Sequence, residues 1–421
     1  MLKNNGAHRV ITVGTRNKRS TLSPISSKEN PKKIQRTAIE SLSLGLSPTR
    51  RLGENAVTQH PLQDSPLNYT KSLPQNPHPN FKIMKLYQPQ VIFSFLSLSL
   101  LVFSLLSATA EAYCNSHDKK VLFKIKEALG NPYVLISWNN NLDCCEWNNL
   151  ECDETTHRVV SISVMNSDIV GPIPDAVGDL PYLQTLLFHK NPNLTGEIPI
   201  AITKLTQLRY LWLSWNNLTG LVPSFISQLK NLEYINLAFN QLTGSIPPEL
   251  SSLPKLGYLG LDRNKLTGSI PESFSSINVT DFYLILSHNQ LSGPIPKSLS
   301  NVKFAKIDLS RNHLVGDAFM LFRNNSPSDF SADLSRNNLS FDLSKTVFPA
   351  RLIYLDLNHN NIYGSIPHQL ANIELQFFNV SYNRLCGKIP TGGTGRLQSR
   401  FDEYCYFHNK CLCGAPLPSC K

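Results

Sequence analysis

Between residues 159 and 390 the apolar positions follow one repeating pattern. Within Leu211–Asn264 it reads "LWLSWNNLTGLVP", then "INLAFNQLTGSIP", then "LGLDRNKLTG", in copies 24 residues apart. Each copy alternates as Leu-x-Leu, so the apolar side chains of a short strand point one way and the residues between them the other. Extending the register gives ten units, with the turn position at Gly171, Gly196, Gly220, Gly244, Gly268, Gly293, Gly316, Phe341, Gly364 and Gly387. The steps are 25, 24, 24, 24, 25, 23, 25, 23 and 23 residues, which marks a stacked-coil architecture.

Each repeated position has a physical task. The Asn after each strand (Asn216, Asn240, Asn264, Asn289, Asn312, Asn337, Asn360, Asn383) has an amide that both donates and accepts, and can satisfy backbone groups left unpaired where the chain bends. The turn Gly permits a tight bend or close approach of coils. The Ile-Pro that follows in most units favours extended backbone and needs no donor. A single unit buries almost nothing, and stacked units share one core. The predicted fold is therefore an α/β leucine-rich repeat solenoid, a right-handed superhelix of about ten plant-type repeats with a parallel concave sheet. Units seven and eight ("GDAFML", "SFDLSK") lack Ile-Pro, so an irregular convex side is expected there.

Outside the repeats the pattern changes. Residues 1–83 are polar, rich in Ser, Pro, Asn and basic residues, and aperiodic. They read as a disordered leader, as an organellar transit peptide, or as sequence upstream of a true start at Met84. At Met84 a basic residue, an apolar run (Val91–Leu106) and small residues (Ala108, Ala110, Ala112) follow in order, the pattern of a secretory signal over 84–112. Uncleaved, the segment 91–110 is long enough for a membrane anchor. Residues 113–158 read as an N-terminal cysteine cap opening with an amphipathic helix that groups Val121, Leu122, Ile125 and Leu129. Residues 159–390 form the solenoid and 391–421 a C-terminal cysteine cap.

Charge then removes one class of partner. The net charge is +10, but residues 1–83 hold 13 Lys/Arg against 4 Asp/Glu. The remainder carries 27 basic and 26 acidic side chains, or +1, so a nucleic-acid role loses its support. Six Asn-x-Ser/Thr acceptors in the repeat region, at Asn193, Asn217, Asn278, Asn324, Asn338 and Asn379, suit a glycosylated secreted protein.

All nine cysteines lie in or beside the caps: Cys114, Cys144, Cys145 and Cys152 before the repeats, and Cys386, Cys405, Cys411, Cys413 and Cys420 at their end. Disulfides in an oxidising compartment fit this better than metal ligation, because paired Cys-x2–4-Cys spacing is lacking. No metal and no cofactor are expected. The chain has no Gly-x-Ser-x-Gly elbow and no His-Glu-x-x-His, and "GGTGR" at Gly392 lacks the Lys of a phosphate loop, so no enzyme activity is expected.

The cap "CNSHDKKVLFKIKEALGNPYVLISWNNNLDCCEW", the LxGxIP repeats and the ending "YFHNKCLCGAPLPSCK" resemble plant polygalacturonase-inhibiting proteins, from Cys114 to Lys421 without a break. The resemblance implies the disulfides Cys114–Cys144, Cys145–Cys152, Cys386–Cys411 and Cys413–Cys420, with Cys405 left as a free thiol. It implies a secreted cell-wall (apoplastic) protein that inhibits fungal or insect endopolygalacturonases in plant defence. Similar leucine-rich proteins serve instead in development or signalling, binding a peptide or receptor ectodomain, and direct attachment to pectin is a third reading.

Binding would use the outward strand positions, which form stripes across the repeats. One stripe runs Tyr210, Tyr234, Tyr258, Tyr283, Lys306, Ser331, Tyr354, Phe377. A second runs Trp212, Asn236, Gly260, Ile285, Asp308, Asp333, Asp356, Asn379, and a third, mostly small or polar, carries Asp262. A fourth runs Trp215, Phe239, Arg263, His288, Arg311, Arg336, His359, Tyr382. Aromatic side chains in water on a rigid sheet mark an interface, although stacked tyrosines also brace neighbouring strands. The three aspartates are expected to repel one another unless Arg311 and Arg336 relieve them.

Overall fold

A computed structural model describes residues 113–323, 328–394 and 397–421. The leader, the signal or anchor segment and Asn324 lie outside the described residues. Among the described residues no helix is long and apolar enough to cross a membrane.

Eleven strands form one sheet in chain order: β1 Leu150–Cys152, β2 Val159–Met165, β3 Thr185–His189, β4 Tyr210–Trp212, β5 Tyr234–Asn236, β6 Tyr258–Gly260, β7 Phe282–Ile285, β8 Phe304–Asp308, β9 Phe330–Asp333, β10 Leu352–Asp356 and β11 Phe377–Asn379. β1 pairs antiparallel with β2, and every later pair is parallel. The ten parallel strands are the ten repeats, and the antiparallel one is contributed by the N-terminal cap. The alternating leucines do what their spacing predicts: Leu211, Leu213, Ile235, Leu237, Leu259 and Leu261 are fully buried in one continuous core.

On the opposite wall of each coil stands a single turn of 3-10 helix, such as Ser224–Gln228, Pro248–Ser252 and Glu272–Ser276. The Pro of Ile-Pro sits just before it in extended conformation (Pro271, φ −64°, ψ 132°), so this residue ends the extended segment and launches the turn. In the eighth unit Phe341 replaces the turn Gly and is itself buried, and the following 3-10 turn shrinks to Leu343–Lys345.

The Asn ladder binds coil to coil. Asn240 Nδ2 donates to Leu213 O of the preceding coil at 2.7 Å, while its Oδ1 accepts from Leu218 N at 3.1 Å. Asn264, Asn289, Asn312, Asn337, Asn360 and Asn383 repeat the arrangement. Two members escaped the sequence pattern. Asn191 precedes the series, and Asn409, whose Oδ1 accepts from Leu385 N at 3.0 Å, continues it into the C-terminal cap.

The caps close both ends. The helix α1, Ser116–Ala128, starts at Asn115, whose side chain accepts from His117 N, and it buries Val121, Leu122 and Ile125. Its buried Asp118 takes Arg158 in a two-pronged ion pair at 2.8 and 2.9 Å and also accepts from Val159 N at 3.0 Å. That one carboxylate fixes the lid to the first parallel strand. The disulfides are Cys114–Cys144, Cys145–Cys152, Cys386–Cys411 and Cys413–Cys420, the pairs that the family resemblance implies, and Cys405 is free. The sulfurs of Cys114, Cys145 and Cys152 lie within 4.8 Å of one another, but all three are in disulfides and offer no thiolate to a metal.

Candidate functional site

The parallel register assembles the stripes directly. Tyr210, Tyr234, Tyr258 and Tyr283 are paired strand by strand, and the line continues through Lys306 and Ser331 to Tyr354 and Phe377. The rings lean on one another. Tyr234 and Tyr258 stack at 4.3 Å between centroids, Tyr354 and Phe377 at 4.4 Å, while the Tyr210–Tyr234 and Tyr258–Tyr283 pairs are tilted at 6.4 and 6.2 Å. These side chains are half-buried, so the same rings brace the sheet and present a surface. Burial raises the pKa of Tyr234 and, much further, of Tyr258, so both hydroxyls stay protonated. At Gly260 a Cβ would come within 2.8 Å of the Tyr258 ring, so this glycine is what lets Tyr258 lie flat.

The second stripe departs from the expectation of aromatic surface in water. Trp212 is only 7% exposed, because the rings of His189 and Tyr234 close over it from the two adjacent strands, each at 5.5 Å. Its Nε1 donates to Ser214 Oγ at 2.5 Å. Trp212 is thus a buried packing residue. Asn236 and Asp356 are likewise buried.

Asp308, Asp333 and Asp356 do stand in register on β8, β9 and β10. The expected relief by arginine is not what holds them. Among the described residues neither Arg311 nor Arg336 makes an ion pair with them. Each carboxylate instead accepts from the residue two further on: Asp308 from Ser310 N and Oγ at 3.0 and 2.7 Å, Asp333 from Ser335 N at 3.0 Å, Asp356 from Asn358 N and Nδ2 at 3.0 and 2.6 Å. Asn236 and Asn379 use Oδ1 in the same way. The signal was present as Asp-Leu-Ser or Asp-Leu-Asn after the inward Ile307, Ala332 and Leu355, but a two-residue spacing reads as strand alternation unless the bend is known. Burial, reinforced by Asp308 and Asp356, pushes Asp333 up to about 7. Burial also raises Asp262 to about 6, with Asp308 adding to it, and Asp356 to about 6. The face is therefore a set of reluctant carboxylates beside a tyrosine row, and its charge changes with pH near neutrality.

The fourth stripe is a separate edge. Trp215, Phe239, Arg263, His288, Arg311, Arg336, His359 and Tyr382 all adopt positive φ, 53–57°, at the bend that leaves the strand, and Lys190 and His408 extend the row. That left-handed backbone disfavours β-branched residues, and none occurs in the row. Each main-chain N–H is spent on the next coil, as from Arg263 N to Ser287 O at 2.8 Å. Trp215 stacks on Phe239 at 3.6 Å, Arg263 lies over Phe239 at 4.8 Å, and His359, Tyr382 and His408 stack in sequence at 4.1 and 4.2 Å. His288 and His359 have lowered pKa values, from burial first and nearby arginines second. Lys190 and His408 were missed because they lie where the repeats become irregular.

Of the acceptor asparagines, Asn193, Asn217, Asn278 and Asn338 are exposed. Asn379 is on the strand face itself, with Oδ1 bound to Ser381 N and Oγ.

Comparisons with known proteins agree with this architecture. The family model for a leucine-rich repeat N-terminal domain matches residues 115–153, and leucine-rich repeat models match 212–266, 282–302 and 351–373. A polygalacturonase inhibitor from Pyrus communis is 58% identical over 330 residues, which is 78% of this chain and 98% of the relative. Polygalacturonase inhibitor 1 from Arabidopsis thaliana is 58% identical over 328 residues, 77% of this chain and 98% of the relative. A solved plant ice-binding protein has a TM-score of 0.70 at 49% identity, covering 73% of this chain and 98% of its own. With that identity across nearly the whole of its relatives, the chain belongs to the polygalacturonase-inhibitor family of leucine-rich repeat proteins.

Proposed function

We propose that this protein is secreted to the plant cell wall and inhibits fungal or insect endopolygalacturonases by docking on them through the concave strand face. The observation that carries the reading is the 58% identity to named polygalacturonase inhibitors along 98% of their length. The contact surface would centre on Tyr210, Tyr234, Tyr258 and Tyr283 with Asp262, Asp308 and Asp333 beside them. Aromatic side chains already stacked lose little rotamer freedom on binding, which lowers the entropic cost of the complex. The carboxylates suit a basic partner surface, so association weakens with added salt. Inhibition in this scheme is obstruction of the hydrolase cleft, with no covalent step.

The test is endopolygalacturonase activity with and without the protein, expressed from Met84 through a secretory pathway, against enzymes from several fungi. Loss of hydrolysis with at least one enzyme, reversed in Tyr258→Ala and Asp308→Ala variants that unfold normally, is the expected result. Undiminished hydrolysis across the panel by correctly folded protein would refute inhibition. Capture of a receptor ectodomain in its place would support a signalling binder, and retention on polygalacturonate alone a pectin-binding role.

A further inference from the structure

Trp215 and Phe239 are left over by the strand face. They sit on its edge, and their exposed side borders a depression of ≈ 390 Å³ lined by Pro192, Trp215, Asn217, Phe239, Gln241 and Arg263, with the ladder residues Asn216 and Asn240 at its base. Trp215 is 46% exposed, whereas Trp138, Trp147 and Trp212 are buried. A large indole left this open beside polar groups calls for an occupant.

The occupant is indicated by the wall itself. Asn217 is the acceptor of the sequence Asn217-Leu218-Thr219, and it is exposed on the short strand Asn216–Leu218. The intervening Asn216 turns inward, with Oδ1 on Asn191 N at 3.0 Å and Nδ2 on Phe188 O at 2.8 Å. Trp215 and Asn217, either side of it, are therefore both left on the outside. Trp215 is fixed there by its left-handed backbone, by its N–H on Ala238 O at 2.9 Å, and by the stack with Phe239. The depression has two kinds of wall: Pro192 and the ring edges are apolar, and the Gln241 amide and Arg263 guanidinium are polar. A pyranose has the same two-sided chemistry, C–H groups on one face and hydroxyl or acetamido groups around its rim. At Asn338 the residue two before the acceptor is Arg336 and at Asn278 it is Ser276; at Asn379 it is Phe377, but that amide is engaged with Ser381 on the strand face, and at Asn324 it is the buried Phe322.

We propose that Asn217 carries an N-linked glycan whose first N-acetylglucosamine lies in this depression, against the edges of Trp215 and Phe239. Tethering holds the sugar at high local concentration, so even a weak contact is populated. The glycan then covers the one exposed tryptophan and takes Trp215 and Phe239 out of the partner-binding surface. This site stands whether or not the strand face inhibits a hydrolase.

The experiment uses the full chain secreted from a plant or insect cell, with no partner present. Glycopeptide mass spectrometry is expected to show Asn217 occupied, and acrylamide is expected to quench Trp215 emission only weakly. Asn217→Gln should strengthen the quenching and shift the emission to the red, while Asn278→Gln leaves both unchanged. Enzymatic trimming to a single N-acetylglucosamine should preserve the protection, and Phe239→Ala should lose it with the glycan still attached. An unoccupied Asn217, or equal quenching in the native chain and in Asn217→Gln, would overturn the proposal. Protection that disappears on trimming would assign the shielding to the outer glycan and overturn it equally.

Discussion

Replacing Asp333 by Asn gives the sharpest test of how the strand face is built. The carboxyl of Asp333 is flanked in register by Asp308 and Asp356, and its pKa rises from 3.8 to about 7. In the unfolded chain it reverts to about 3.9. Between those values the folded protein holds a proton that the unfolded chain has released. The contribution of Asp333 to stability is therefore greatest at low pH and falls as pH rises through the window from about 4 to 7. The shift of about 3 units, at about 1.4 kcal/mol per unit, puts the upper bound near 4 kcal/mol. Part of that shift comes from the charges of Asp308 and Asp356, so the share recovered by one substitution is about 2–4 kcal/mol.

Asn is the right replacement because the fold already uses it at this position. Asn236 and Asn379, on β5 and β11, accept from Ala238 N and Ser381 N at 3.1 and 3.0 Å, as Asp333 does from Ser335 N. D333N thus keeps the bend and removes only the charge. Urea unfolding of D333N and wild type from about pH 3.5 to 8 should show nearly equal stability at the acid end and the variant about 2–4 kcal/mol more stable at pH 8. Taking the difference between the two proteins cancels the other titrating groups, including Asp262 and Asp356. A difference that does not grow with pH, or a variant less stable at pH 8, would refute the idea that these carboxylates are held against their charge.

Three further substitutions test the frame around that face. Asp118→Ala strands Arg158 beneath the N-terminal cap and should cost about 3–5 kcal/mol in chemical denaturation, an effect that a surface ion pair would not produce. Asn289→Ala leaves Leu266 N without its acceptor inside the coil, 3.0 Å away in the native chain, while Leu261 O keeps the Asn264 amide, and should cost about 1–3 kcal/mol. Gly260→Ala lifts Tyr258 off the sheet and off Tyr234, a stack worth about 0.5–1.5 kcal/mol, so stability should fall by about that much and inhibition should weaken while the protein stays folded. Unchanged inhibition in that variant would remove Tyr258 from the docking surface.

What could be read from the sequence follows from how local each feature is. The inward leucines, the Asn ladder and the cap helix answer to spacing within one repeat, so a single chain displays them. The site is harder, because each of its properties is set by the neighbouring coil. Trp212 looks like Trp215 in the sequence, yet one is closed over by His189 and Tyr234 and the other stands open at the bend. Both fall in the outward stripes read from the sequence, and those stripes say nothing of what lies 24 residues away. Arg311 and Arg336 were paired in expectation with Asp308 and Asp333 for the same reason. They are three residues on in sequence, but the positive φ at 311 and 336 turns them to the edge. That bend divides each repeat into a strand face, where tyrosines and carboxylates are half-buried together, and a rim, where cations and aromatics stack in the open. A repeat unit can change its rim without disturbing its face, because the two are joined only through a buried Ser or Ala, or a half-buried Asp or Asn, and the ladder amide. Within one inhibitor scaffold, then, partner contact and surface covering can be altered independently, coil by coil.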